Sequence, residues 1–356
     1  MAELSATHAQ FSPGSMEEKW YQALPRKGAF SAIHMPGLRI PFQMPILIGD
    51  ILLERFSWKQ WVLFERTDEA TRLKLEFDKG LHTFLTCRIL TTVPLSSALE
   101  AVHLRQRNSI QNLTSALRLL KEGTIIDPYS SVHYIRQGNQ IRREIGTFGR
   151  SLIEADLSDK YMLDAKTFKL LPDLLNALSE SAITQDPTIG LAIRSFDRSY
   201  GYSLEHEEKM AFLFSALEAT FGEYRKQNRP KPKVTIGKAA AIVSCSAATA
   251  GIADFLDDAD KGKKLRNTIA HGSSEPLVGI SADADLMLRE IIRDGLRCLI
   301  IFATRKTALS TQLESLKAGL SLEPAKLAFQ TLLGHASTGS ATALKIISDI
   351  QAPYVH

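Results

Sequence analysis

Cysteine is scarce in this 356-residue sequence: Cys87, Cys245 and Cys298 stand far apart, among apolar or small residues. That set makes neither a disulfide framework nor a zinc-ligand spacing, so no metal site is expected and a reducing compartment fits. Long apolar runs are lacking too. CLIIFA at 298–303 falls far short of the roughly 20 residues that a membrane-spanning helix needs, so no transmembrane helix and no membrane partner are expected. Residues 1–20, MAELSATHAQFSPGSMEEKW, have no basic segment followed by an apolar core and do not read as a secretory signal, which makes the cytoplasm the expected location. A strong charge of one sign is also missing. A net charge of +4 with a pI near 8.8 permits a nucleic-acid partner without demanding one.

What is present is enough chain for two ordinary domains with a sizeable core. Residues 1–45 hold Pro13, Pro25, Pro36, Pro41 and Pro45 with several glycines, and read as loop-rich. WVLFER (61–66), RLKLEF (72–77) and HTFLTCRIL (82–90) are rich in β-branched and aromatic residues and are split by polar turns, which predicts a small antiparallel sheet. At 96–121 the period moves towards 3.6, with Leu99, Val102, Ile110, Leu113, Leu117 and Leu120 near one stripe and Gly123 ending the helix. Residues 124–136 read as extended or irregular, and 164–181 as helix with Pro172 marking a kink or a start.

Beyond 186 helices are expected at 188–202, 203–227, 237–271 and 283–317, with a basic NRPKPK linker between the second and third and two short helices at 321–352. Glu205, Glu207 and Glu208 after Ser203 put negative charge where a helix start favours it. Four helices with short connections predict a bundle. The fold class expected is therefore α+β: a mixed N-terminal domain with a small antiparallel sheet over 1–185, an all-α bundle over 186–320, and a short helical extension over 321–356.

Several familiar motifs are incomplete. His206-Glu207 begins like a helical zinc-protease motif, but Met210 stands where the second histidine belongs. Gly237-Lys238 resembles the end of a phosphate-binding loop, yet Pro232 replaces the upstream glycine and Ala239 the Ser or Thr. There is no Gly-x-Ser-x-Gly elbow. The acidic DDAD at 257–260 has no spaced partner and reads as a solvated helix turn.

The segment KKLRNTIAHGSSEP (263–276) stands apart. On a helix Leu265 and Ile269 share the apolar face, while Asn267 and His271 project together on nearly the opposite side. Arg266 lies about 140° from His271, within reach of its long side chain. Gly272 would end the helix and leave His271 at an accessible tip. Metal-free RNA cleavage needs such a set: a histidine to take the ribose 2′-hydroxyl proton, an arginine for the phosphate, and an amide to orient either. An Arg with a His five residues later also arises often by chance. The setting, at the end of a bundle helix and after a lysine cluster, gives it weight.

RNTIAHG (266–272), with a polar Asn directly after the Arg, resembles the Arg-(four to six residues)-His signature of the HEPN superfamily. LAIRSFDRSY (191–200), LFSALEATFG (213–222) and the long helix after the motif are similar to the Apea-like HEPN domains of bacterial defence proteins, and ALRLLKEGTI (116–125) resembles the segment that often precedes that domain. The resemblance covers about 186–318, with 113–185 looser.

It implies catalytic roles for Arg266, Asn267 and His271 and a supporting acidic role for Glu218; a carboxylate paired with a nearby Lys or Arg is the alternative for Glu218. Lys263 and Lys264 would contact RNA phosphates or belong to a solvated face. It further implies no cofactor, RNA as substrate with tRNA among the candidates, and a homodimer whose two motifs form one composite site. An Arg and a His on different faces of one helix could then converge from two chains. The expected activity is that of an endoribonuclease in antiviral defence or toxin-like growth arrest, open to a regulatory partner; the alternative is a non-catalytic HEPN module that binds RNA or a protein.

Overall fold

The computed structural model describes residues 6–8, 27–36, 38–39, 46–48, 51–54, 82–89, 95–123, 125, 130–137, 140–147, 161–201, 204–222, 238–239, 241–242 and 282–354. Helix predominates among them. The chain divides into two compact units, one of residues 1–114 with 123–172 and one of 115–122 with 173–356.

In the first unit the strands are β1 (Ala6–His8), β2 (Lys27–Pro36), β3 (Leu38–Arg39), β4 (Ile46–Ile48), β5 (Ile51–Glu54), β6 (His82–Ile89), β7 (Ser130–Gln137), β8 (Gln140–Thr147) and β9 (Tyr161–Met162). Seven of them pair antiparallel in the order β1-β8-β7-β2-β6-β5-β4. The predicted strand at 82–90 is β6; those at 61–66 and 72–77 lie outside the described residues. One expectation is corrected. Residues 27–36 are the central strand β2 rather than loop, paired through Ser31 with Cys87 on one side and His133 on the other. Partners on both edges supply the backbone hydrogen bonds that its sequence, KGAFSAIHMP, does not advertise, and Pro36 is tolerated as the last residue.

Residues 130–137, within or next to the stretch expected to be extended or irregular, form β7, and β8 follows with Gln137 opposite Gln140. The two residues between them, Gly138 and Asn139, are the types that tight hairpin turns favour. Ile51 and Leu53, two apart and so on one face of β5, are both buried. β3 and β9 pair in parallel, with Leu38 opposite Tyr161, both fully buried. Gly123 packs against that tyrosine at φ +149°, where a Cβ would stand 3.0 Å from the ring, so only glycine fits without strain.

Helix α1 (Leu95–Leu120) precedes Gly123 as the period predicted, and its final turns, from Ser115, belong to the second unit. α2 (Ala165–Ser179) contains Pro172 in its interior. The second unit continues with α3 (Ser181–Thr184), α4 (Pro187–Arg198), α5 (His206–Phe221), α6 (Ala282–Arg305), α7 (Ser310–Leu316), α8 (Ala325–Ser337) and α9 (Ala341–Gln351). The single long helix expected at 283–317 is two, because α6 ends at Arg305 and a turn through Lys306–Leu309 intervenes. Every side chain from Ile291 to Ala303 is buried, and α6 packs on α3, α4, α5, α8 and α9. That burial makes 291–303, its arginines included, core within its own chain, whereas Leu286 nearer the start of α6 is 49% exposed. Phe302 meets Phe329 of α8 with ring centroids 5.5 Å apart.

Candidate functional site

The helices that flank the RNTIAHG segment are set by strong local signals. α4 starts at Pro187 behind Asp186, whose carboxylate accepts from the backbone N–H of Thr188 (2.9 Å) and Ile189 (3.1 Å); these are the donors that a helix start leaves unpaired. α5 starts at His206, not at Ser203: Glu205 is the capping residue, its N–H donating to Glu208 at 3.1 Å, and Glu207 and Glu208 fill the first turn. Gly222 ends α5 with an N–H bond to the Glu218 carbonyl at 2.8 Å.

Between α5 and α6 lies the segment 223–281. Arg266, Asn267, His271, Lys263 and Lys264 all fall outside the described residues, as do most of the predicted 237–271 helix and the acidic 257–260 turn. Glu218 is the one member of the predicted set that is described. It is half-buried on α5, on the stripe with Ala211 and Ser215, while Met210, Leu213, Phe214 and Leu217 face the core. At Gly295 of α6 an added Cβ would lie 2.2 Å from Cζ of Phe221, so the absence of a side chain there lets the last residue of α5 seat against α6.

Two buried basic clusters surround this frame. In the first, Arg289, Arg293 and Arg297 form an i, i+4, i+8 stripe on α6. The α1 C-terminus lacks intrahelical partners for its last carbonyls, and the stripe supplies them: Arg293 Nε donates to the Arg118 carbonyl at 2.9 Å and Arg297 Nη1 to that of Leu119 at 3.0 Å. Cations also suit the negative end of the helix dipole. Glu122 accepts from Arg293, from Arg289 (3.2 Å) and from the Tyr200 hydroxyl (3.0 Å), while Arg293 donates to that hydroxyl at 3.0 Å. Arg118 and Arg289 stand 5.0 and 4.9 Å over the Tyr200 ring. Asp197 accepts from Ser115 and Arg118, Asp285 from Arg289, and Asp294 from Arg297.

Four arginines thus meet four carboxylates (Glu122, Asp197, Asp285, Asp294), and the cluster neutralises itself. Burial, with Arg297 alongside, lowers the Arg293 guanidinium to about 10, and Asp294 pulls the other way. It remains charged at neutral pH, and its hydrogen bonds to the Arg118 carbonyl, to Glu122 and to the Tyr200 hydroxyl make the stripe a joint between helices. None of these residues was singled out from the sequence, although arginines four apart in an apolar helix were a visible signal.

The second cluster closes the C-terminus of α5. The Thr220 carbonyl accepts from Lys326 Nζ and, at 2.9 Å, from Gln330 Nε2, both on α8; Lys238 Nζ donates to Gln330 Oε1 at 2.8 Å. Lys326 and Lys238 are 8% and 2% exposed, values rare for lysine. Burial is the main cause lowering the Lys326 ammonium to about 7, Lys238 adds to it, and Asp186 opposes.

Comparison of the chain with protein-family models, with curated proteins and with solved structures finds no match. Among the described residues no helix is long and apolar enough to cross a membrane.

Proposed function

We propose that the protein is a metal-independent endoribonuclease of HEPN type, with an α+β N-terminal domain that selects substrate or restrains the enzyme and an all-α domain that cuts. One observation carries the proposal: the sequence RNTIAHG, with its Arg-Asn pair and its His, lies in the connection between two helices, α5 and α6, that pack on each other. The setting supports it. α4 and α5 precede the motif as a packed pair, a long buried helix follows, and the 116–122 part of the ALRLLKEGTI segment groups with those helices.

In the proposed reaction His271 takes the proton from a ribose 2′-hydroxyl, whose oxygen bonds to the adjacent phosphorus. Arg266 bears on the phosphate oxygens as charge builds there, and Asn267 orients the imidazole or the phosphate. The P–O5′ bond breaks and the 5′-oxygen takes up a proton, leaving a 2′,3′-cyclic phosphate and a 5′-hydroxyl. Two chains would contribute to one composite site, with Glu218 supporting it from the half-buried stripe of α5 and Lys263 and Lys264 on neighbouring phosphates. Antiviral defence or toxin-like growth arrest in the cytoplasm is the proposed setting.

Cleavage of total RNA or tRNA in EDTA, with analysis of product ends, tests the reading. Cyclic-phosphate ends from wild type, reduced about 10²- to 10³-fold in R266A and H271A, support it. Equal cleavage by wild type and both variants would overturn it, and RNA binding without cleavage by folded wild type would favour the non-catalytic module.

A further inference from the structure

The buried lysine pair on α8 and its neighbour does more than fill space. The chain leaves α5 at Thr220–Gly222, enters the long connection to α6, and returns as Lys238 to the same side chain, Gln330, that also holds Thr220. α8 therefore grips the start of that connection at two points. Gln330 uses its amide N–H for one and its carbonyl oxygen for the other, so neither contact can be lost without leaving a buried polar group short of a partner.

We propose that Lys326, Gln330 and Lys238 form a proton-sensitive clasp, by which α8 holds the end of α5 and the chain beyond it more tightly as the solution becomes more alkaline. The geometry supplies the reason. Lys326 is buried with a carbonyl, not a carboxylate, as its hydrogen-bond acceptor, and the charges that face it are Lys238, which opposes its protonation, and Asp186 at the start of α4, which favours it. No carboxylate is in ion-pair range of Lys326 among the described residues.

The direction follows from linkage. With the clasp closed Lys326 releases its proton near pH 7; opened to water it would hold it up to about 10.5. Between those values the open form binds more protons, so each rise in pH favours closure. Below about 7 both forms are protonated and the full desolvation cost of the ammonium opposes closure. Acid loosens the clasp; it does not tighten it.

The test is hydrogen–deuterium exchange of the full chain from pH 6 to 9, corrected for intrinsic exchange and read at the amides of 218–222. Wild type is expected to gain protection with pH, approaching about tenfold per pH unit above neutrality for a single linked proton, while K326M, neutral throughout, stays flat. An equal rise in K326M would overturn the proposal. Should K326M fail to fold, NMR titration of wild type labelled with ¹³C-lysine decides: a lysine signal with its midpoint near 7, absent from K326R, supports the clasp, and ordinary midpoints near 10.5 for all lysines overturn it. Neither readout depends on RNA cleavage.

Discussion

The two basic clusters solve the same problem in different ways. Each brings cationic side chains from a later helix to the carbonyls at the end of an earlier one, α6 to α1 and α8 to α5. At α1 the cations are arginines, their forks divide between carbonyls and carboxylates, and the local charge sums to zero. At α5 they are lysines, and Lys326 meets the helix end through a carbonyl, with no carboxylate in ion-pair range of it among the described residues. An arginine loses little of its charge to burial at any pH a protein meets, whereas a lysine gives way near neutrality. The first cluster is a fixed joint and the second an adjustable one.

The largest expected effect comes from breaking the fixed joint. R293L removes the donor to the Arg118 carbonyl and to Glu122 and leaves both underpaired. A loss of about 3–5 kcal/mol in a urea titration is expected, and a change within 0.5 kcal/mol would mean that the stripe is not what joins α6 to α1. Next comes the place where the two regions meet. G295A puts a methyl into the ring of Phe221, fully buried and adjacent to Thr220; about 1–3 kcal/mol should be lost, and F221L in the same chain should recover part of it.

Y200F, which deletes only the hydroxyl shared by Glu122 and Arg293, is expected to lower stability by about 1 kcal/mol. Calorimetry of that variant separates the hydroxyl from the ring, which keeps its contacts with both guanidiniums. A substitution in the second cluster sharpens the contrast most. K326M leaves Thr220 its bond from Gln330. Because burial depresses the folded-state value of Lys326 to about 7, wild type gains stability as pH rises from there. K326M should be at its best relative to wild type at pH 6 and lose that advantage by pH 9, while the difference between R293L and wild type stays constant over the same range.

The helices were legible where hydrophobic period and punctuation agreed. Gly123 after α1, Pro187 behind Asp186 at α4, and the glutamates at the start of α5 each mark a boundary through backbone chemistry that acts within a few residues. β2 was not legible, since a strand in which Gly, Ala, Ser and Pro make up half the residues is specified by partners 46 or more residues away. The same holds for the arginine stripe, whose carbonyl partners at the end of α1 lie 175 and 178 residues away. Of the candidate site, the motif could be read in the sequence because the chemistry of Arg, Asn and His is intrinsic to those side chains; the half-buried place of Glu218 came from the packing of α5.

By itself, then, the sequence determined the local elements, the lack of a membrane-spanning apolar run, and the residue types available for chemistry at 263–271, because each is set by neighbours along the chain. Only the tertiary structure decided that 291–303 of α6 is buried throughout, that its arginines cap another helix, and that Lys326 sits against a carbonyl with no carboxylate at its ammonium among the described residues. Burial and electrostatic environment are properties of what surrounds a group in space, and nothing in a one-dimensional pattern fixes those surroundings.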